Sequence, residues 1–333
     1  MTTGYRVLTT QDLQDAGSAH QRFALDVLQG LSQPRKRLSS MHFYDERGSE
    51  LFQRIMDLPE YYLTRAEHQI LSRHRGELAE TLIDGAFQLV ELGSGDGRKT
   101  NLLLETMLDE HLDFVYRPID ISEAAVSAQS AALTERFPGL EAQGLVAEYL
   151  DGMMWNSRFS TRRNVVLLLG SNIGNFSLPD ARAFLRSLWS FLRDDDLALI
   201  GFDLKKDIDT MIGAYNDDGG VTSAFNMNLL ARINRELDAD IDLDAFQHHS
   251  TYNVFSGSME SYLVSLARQT VHVGAVNHSF EFAPYEPIHT EYSYKFLMED
   301  IEALARDTGF SIEAQWLDDQ GRFADSLWEV RKR

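Results

Sequence analysis

From residue 87 to residue 202, short apolar runs closed by Gly or an acid alternate with stretches whose apolar residues recur every three to four positions. Parallel strands buried on both faces read as continuous apolar runs, and their crossovers must be long enough to hold a helix. The rhythm therefore predicts a parallel sheet covered by helices. Strands are predicted over 87–92, 114–119, 144–147, 164–169 and 197–202, with helices over 99–108, 124–137 and 179–192 between them. Gly309 to Leu317 and Phe323 to Val330, around Asp318-Asp319-Gln320-Gly321, read as a hairpin that closes the sheet antiparallel. The fold class is a doubly wound α/β sheet with a C-terminal antiparallel hairpin.

Two segments break the rhythm: the first sixty-odd residues, and roughly 206–290, which mixes a helical stretch (223–237) with alternating runs such as Glu260 to Ser265. We expect a larger domain of 68–205 and 295–333, and a smaller α+β domain of 1–67 and 206–294. Ligands on such sheets bind beyond the carboxyl ends of the strands, where the smaller domain would serve as a lid.

Composition narrows the partners. Against 31 Lys and Arg stand 51 Asp and Glu, a net charge of −20 that repels phosphate backbones and anionic lipid, so nucleic acid and membrane are not expected. Without cysteine there is no disulfide, thiolate nucleophile or Cys-ligated metal, and the ten histidines lack metal-ligand spacing, so no metal is expected. No apolar run nears membrane-spanning length and the N-terminus lacks a secretion-signal pattern, so the expected location is cytoplasmic.

Chemistry concentrates after the first predicted strand. Glu91-Leu92-Gly93-Ser94-Gly95-Asp96-Gly97 joins that strand to a helix, and its glycines allow close backbone approach to a ligand. The spacing is G-x-G-x-G, with Arg98 where the dinucleotide pattern needs its third glycine. That argues against NAD and for a methyl-donor site. Asp120 ends the second strand, where a carboxylate accepts from ribose hydroxyls, and Glu148 follows the third, beside the adenine edge. Alone, each reads as a solvated loop acid; at successive strand ends they favour S-adenosylmethionine. The loop Gly170-Ser171-Asn172-Ile173-Gly174-Asn175, after the fourth strand, is where such enzymes place substrate groups, though by itself it reads better as a capped turn.

Several longer blocks then carry a family resemblance: Tyr44-Asp45-Glu46-Arg47-Gly48-Ser49, Pro59 to Arg65, Glu91 to Thr100, Leu169 to Asn175, Asp203 to Asp207, Ala214 to Asp217, Gly220 to Asn226 and Thr290 to Phe296. Over nearly its whole length the chain resembles the S-adenosylmethionine-dependent L-histidine Nα-methyltransferases of ergothioneine biosynthesis. The resemblance implies a class I, Rossmann-like methyltransferase fold, a monomer, and S-adenosylmethionine as cofactor. Cofactor contacts would come from Tyr44, Phe52, Gly93, Ser94, Gly95, Lys99, Asp120, Glu148 and Tyr149. The amino acid would be held by Tyr61, Gly170, Asn175, Tyr215, Thr222 and Ser261, with Glu291 and Ser293 on its ring. Tyr44, Tyr61 and Gly170 are the catalytic candidates: a tyrosine hydroxyl, or a water on the Gly170 carbonyl, would take the amine's proton.

This chain has Glu148-Tyr149 where the family usually has Asp-Phe, which keeps the acid. It has Ser261 where the family often has Met, which widens the ring pocket and leaves tyrosine or tryptophan open as substrates. A nicotinamide oxidoreductase is disfavoured by the glycine spacing; a catalytically silent cofactor-binding homologue is the rival of another class.

Overall fold

The computed structural model describes residues 3–9, 12, 18–82, 85–159 and 161–332. They form two compact units: the described residues of 1–13, 62–205 and 295–333 make unit 1, and those of 14–61 and 206–294 make unit 2.

Unit 1 is built on eight strands in the order β1 (Gly4–Val7), β4 (Gln143–Val146), β3 (Phe114–Asp120), β2 (Phe87–Leu92), β5 (Arg163–Leu168), β6 (Leu197–Asp203), β13 (Phe323–Val330), β12 (Phe310–Leu317). β1 to β6 run parallel, whereas β13 lies antiparallel to β6 and to β12. This is the doubly wound class I arrangement, with the terminal hairpin that the sequence predicts. The central strands are legible because they are buried throughout: every residue of β2 and of β6 is buried. Strand order reverses between β2 and β5, each the other's neighbour although three helices and two strands of chain separate them. A crevice opens beyond the carboxyl ends at such a reversal, so the loops after β2 and β5 are the ones that face a ligand.

The structure departs from the sequence reading at the N-terminus. Gly4–Val7, expected with residues 1–67 in the smaller domain, pairs in parallel with β4 as an edge of the large sheet. The helix Leu63–Glu80 also belongs to unit 1, where its apolar stripe of Leu63, Ala66, Ile70 and Leu71 is buried.

Unit 2 holds a three-stranded antiparallel sheet, β11 (Pro287–Tyr294), β8 (Ser258–Ser265) and β7 (Phe246–Asn253), and a hairpin of β9 (Gln269–Val273) and β10 (His278–Phe282). Its helices are Ala19–Leu31, Glu46–Met56, Ile208–Tyr215 and Val221–Leu237. Asp45 caps the second, accepting from the Gly48 amide at 2.7 Å and from Asn228 Nδ2 at 2.8 Å. Gly48 is required by close approach, since a Cβ there would lie 1.7 Å from the Phe43 carbonyl oxygen.

One buried ion pair anchors the end of β6. Asp203 accepts from Lys295 Nζ at 2.7 Å and from the Tyr62 hydroxyl at 2.8 Å, and both charged side chains are 0% exposed. Removing the cation would strand the carboxylate out of water. Lys295→Met should cost about 3–5 kcal/mol in urea denaturation; a loss under about 1 kcal/mol would show that the pair is dispensable.

Candidate functional site

In unit 1 the glycine turn after β2 is shaped by three left-handed residues, Gly93 (φ 79°), Gly95 (φ 52°) and Gly97 (φ 69°). Glu91, fully buried, accepts from the hydroxyls of Thr100 and Tyr116 and so ties β2 to β3 and to the helix Arg98–Asp109. Burial pushes its carboxyl up to about 7, against the pull of those two donors and of Lys99. Asp120 Oδ2 accepts from the Gly95 amide at 3.1 Å, and Oδ1 from Ser122 N at 2.9 Å. The carboxylate at the end of β3 thus meets the middle of the glycine turn, twenty-five positions earlier. Burial raises its pKa, with those amides opposing.

The turn's surroundings are crowded on one side and open on the other. A Cβ on Gly93 would lie 2.6 Å from the Tyr149 hydroxyl and 2.7 Å from Asn172 Nδ2, whereas one on Gly95 would meet nothing within 4 Å. Tyr149 opens the helix Tyr149–Phe159 just after Glu148; burial, then the charges of Asp120 and Glu91, raise its hydroxyl pKa so that it stays neutral. Ser94 Oγ is buried and has no hydrogen-bond partner among the described residues.

The loop after β5 turns through two consecutive left-handed residues, Gly170 (φ 75°) and Ser171 (φ 57°), into a short 3-10 helix, Asn172–Asn175. Its opening amide, Gly170 N, donates to Glu67 at 2.7 Å, and the Ser171 hydroxyl accepts from Asp203 N at 3.0 Å. Lys99 Nζ pairs with the same Glu67 carboxylate. Burial opposes the ammonium, but the charge of Glu67 and its hydrogen bond to Nζ, first among the neighbouring acids, overcome it and raise its pKa. Unit 1 therefore brings together Gly93, Ser94, Gly95, Asp120 and Tyr149 around one turn, and Lys99 and Gly170 around one carboxylate. Glu67 escapes sequence reasoning, because a lone acid on an amphipathic helix reads as a solvated face.

In unit 2 the expected aromatic residues form a contiguous chain. Tyr44 meets Phe52 edge-on at 5.6 Å between ring centroids, Phe52 meets Tyr61 at 6.3 Å, and Tyr61 meets Tyr215 at 6.2 Å. Phe225, from the helix that carries Thr222, packs on both Tyr44 and Phe52. The Tyr215 hydroxyl then lies 2.6 Å from Ser293 Oγ. Thr222 sits in the first turn of Val221–Leu237, whose amides at 221 and 222 donate to Asp217, each at 2.8 Å.

Glu291 and Ser293 share a face of β11, and a β-bulge decides which. Pairing with β8 slips between His289 and Glu291, so Thr290 is the extra residue. Strict alternation from the buried Ile288 would turn Tyr292 to the inner face; the bulge turns Glu291 and Ser293 there instead. Glu291 then stands directly across from Ser261, and Ser261 across from Ser250. Ser261 Oγ lies 3.4 Å from Ser250 Oγ, which lies 3.0 Å from His248 Nε2. Burial, then the neighbouring His249, push the His248 imidazole down to about 4, so it is neutral at physiological pH. Neither His248 nor Ser250 is singled out by any local sequence signal.

Among the described residues no helix is long and apolar enough to cross a membrane, and no cluster of His, Asp or Glu could hold a metal ion. The model of the histidine-specific, S-adenosylmethionine-dependent methyltransferase family matches residues 23–330. The chain belongs to that family. It is 38% identical over 312 residues to the histidine N-alpha-methyltransferase of Mycolicibacterium smegmatis, covering 94% of this chain and 96% of the relative. It is 26% identical to the 4-dimethylallyltryptophan N-methyltransferase of Claviceps fusiformis, over 92% of this chain and 91% of that one. Among solved structures it is similar to magnesium protoporphyrin IX methyltransferase of Synechocystis PCC 6803 with bound SAH, at 13% identity and a TM-score of 0.45, covering 87% of this chain and 97% of that one.

The buried family acid yields a pH test. Folded Glu91 keeps its proton up to about pH 7, whereas an unfolded glutamate releases it near 4.5. The folded state binds more protons in that window, so stability falls as pH rises through it and levels off above. Glu91→Gln removes this component. The stability of the variant relative to the parent should rise by on the order of 3 kcal/mol between pH 4.5 and 7.5 in paired denaturation curves; a constant difference across that window would contradict the assignment.

Proposed function

We propose that this methyltransferase acts on the α-amino nitrogen of L-histidine. The cofactor fits the turn on this chain's own features: the side of Gly95 is open, Ser94 Oγ is an orphaned buried hydroxyl, and Asp120 sits at the turn's centre with acceptor capacity left over. The residues that would hold it are Gly93, Ser94, Gly95, Lys99, Asp120, Glu148, Tyr149, Tyr44 and Phe52. When bound, S-adenosylmethionine supplies an electrophilic methyl group on sulfur. The residues that would hold the substrate are Gly170, Asn175, Tyr61, Tyr215, Thr222, Ser261, Glu291 and Ser293. A cytoplasmic, monomeric protein belongs to the same proposal.

The work of the protein is to keep the amine neutral and aligned, because an in-line displacement at carbon is governed by geometry. A free α-amino group is mostly protonated near neutral pH, so its proton must leave to solvent water, relayed through the hydroxyl of Tyr44 or Tyr61, or through a water on the Gly170 carbonyl. The observation that carries the reading is the aromatic chain Tyr44–Phe52–Tyr61–Tyr215, which ends on Ser293 and so leads to the face that Glu291 shares. Aromatic faces suit an amine that gains cationic character with each methyl added, and Glu291 supplies an acceptor for a ring N–H.

A second reading is favoured by one feature. Ser261, directly across from Glu291, presents a small hydroxyl rather than a bulky apolar side chain, which leaves room for a larger aromatic amino acid such as tyrosine or tryptophan.

Methyl-labelled cofactor incubated with histidine, tyrosine and tryptophan in turn tests both. Label on the histidine amine is expected, and mass spectrometry of the product counts the methyl groups; label on tyrosine or tryptophan alone would favour the second reading, and none at all would mean a silent homologue. Loss of the ring acceptor should weaken histidine by about 1–3 kcal/mol, so Glu291→Ala should raise its KM about 5- to 150-fold. Binding of S-adenosylhomocysteine should change less than about two-fold; equal losses of both ligands would contradict the role given to Glu291.

A further inference from the structure

Glu67 has no role in the account so far, yet its carboxylate meets four parts of unit 1. The side chain is 0% exposed. Both oxygens accept from the Gly170 amide, at 2.7 and 3.0 Å, and Oε2 pairs with Lys99 Nζ. Oε1 lies against Gly201 of β6, where a Cβ would stand 2.3 Å away, so glycine is required at that point of the strand. Asp325 of β13 is the register partner of Gly201 and is also 0% exposed, with no hydrogen-bond partner for either oxygen among the described residues.

Two buried carboxyls and one lysine cannot all be ionised without leaving a net charge out of water. Glu67 is the one that holds donors, so Glu67 carries the charge and Asp325 is the neutral acid. Burial, then the charge of Glu67, raise the Asp325 carboxyl well above its ordinary value, against the pull of Lys99. The cluster is then balanced: one carboxylate, one ammonium and one uncharged acid behind them.

We propose that Glu67 is a positioning residue for methyl transfer: its single buried carboxylate fixes the Lys99 ammonium on the cofactor side and the Gly170 turn on the substrate side in one rigid arrangement. The inference rests on the reading that Lys99 holds the cofactor and Gly170 the amino acid. Glu67 touches neither ligand in that reading. It acts by preventing the two loops after β2 and β5 from shifting independently, and a displacement of about 1 Å at a reacting pair can cost on the order of a hundred-fold in rate. Its negative charge also keeps Lys99 protonated despite burial; the other titratable groups that bear on Lys99 are Glu91 and Asp325.

The test uses the full chain with Glu67→Gln, Lys99→Met and the double variant, followed by calorimetry with S-adenosylhomocysteine and by the pH profile of histidine methylation. Glu67→Gln should lower kcat about 10- to 100-fold with a smaller change in histidine KM, and should move the alkaline limb of the profile to lower pH as Lys99 loses its counter-charge. The double variant should bind S-adenosylhomocysteine as weakly as Lys99→Met alone, because the two act as one unit. An unmoved alkaline limb, or additive losses in the double variant, would reduce Glu67 to a structural acid and overturn the proposal. Should Glu67→Gln not fold, Glu67→Asp keeps the charge and shortens the reach, and is expected to lower kcat while leaving the alkaline limb in place; an unchanged kcat would overturn the proposal equally. Absence of histidine methylation in the unaltered protein would instead bring down the reading on which the inference rests.

Discussion

The reversal of strand order between β2 and β5 is the constraint from which the rest of unit 1 follows. It places two loops side by side at the carboxyl end of the sheet, and each begins with a left-handed glycine, Gly93 and Gly170. Neither loop is held by its own backbone alone. The first is braced by Glu91 behind it and Asp120 beside it; the second hangs on Glu67 and on the Asp203 amide. These braces are acids in a buried setting, which explains how a chain with a net charge of −20 can present a firm polar site: the carboxylates turn inward to backbone amides, hydroxyls and two lysines.

Unit 2 depends on a different device. Its sheet carries hydroxyls and a carboxylate on its inner face, and that face is specified by one inserted residue, Thr290. The Thr290 hydroxyl donates to Asn226 at 3.1 Å and to the Ser261 carbonyl at 3.0 Å, so the bulge is held rather than strained. From it follow the row Glu291–Ser261–Ser250 and the contact of Ser293 with Tyr215. The tyrosines, which by sequence alone read as ordinary core aromatics, run in one chain toward that row.

Much of unit 1 was legible because burial on both faces leaves a continuous apolar run: β2 and β6 begin and end within a residue of the predicted limits. The helix Arg98–Asp109 was legible from its three- to four-residue apolar spacing, and the hairpin of β12 and β13 from the turn residues between them. β1 was not, since three of its four residues are exposed and it signals nothing apart from a loop. Individual site residues were legible where a motif surrounds them, as with Asp120 and the glycines. Glu67 and Asp325 were not, because their partners are brought to them by β-pairing or helix packing across long stretches of chain. His248 and Ser250 were not, because only the pairing of β7 with β8 sets them beside Ser261. The bulge at Thr290 was also invisible: Glu291 and Ser293 share a face under either register, and only the pairing with β8 tells which face it is.

The central claim is that the donor nucleoside lies on the open side of the Gly93–Gly97 turn with its sugar on Asp120, and that Glu291 receives the substrate ring. A crystal structure of the protein with S-adenosylhomocysteine and L-histidine tests it most directly. The account predicts ribose hydroxyls within hydrogen-bonding distance of Asp120, the nucleoside beside Gly95, and an imidazole nitrogen on Glu291; a nucleoside bound away from the turn, or a histidine ring turned from Glu291, would contradict it.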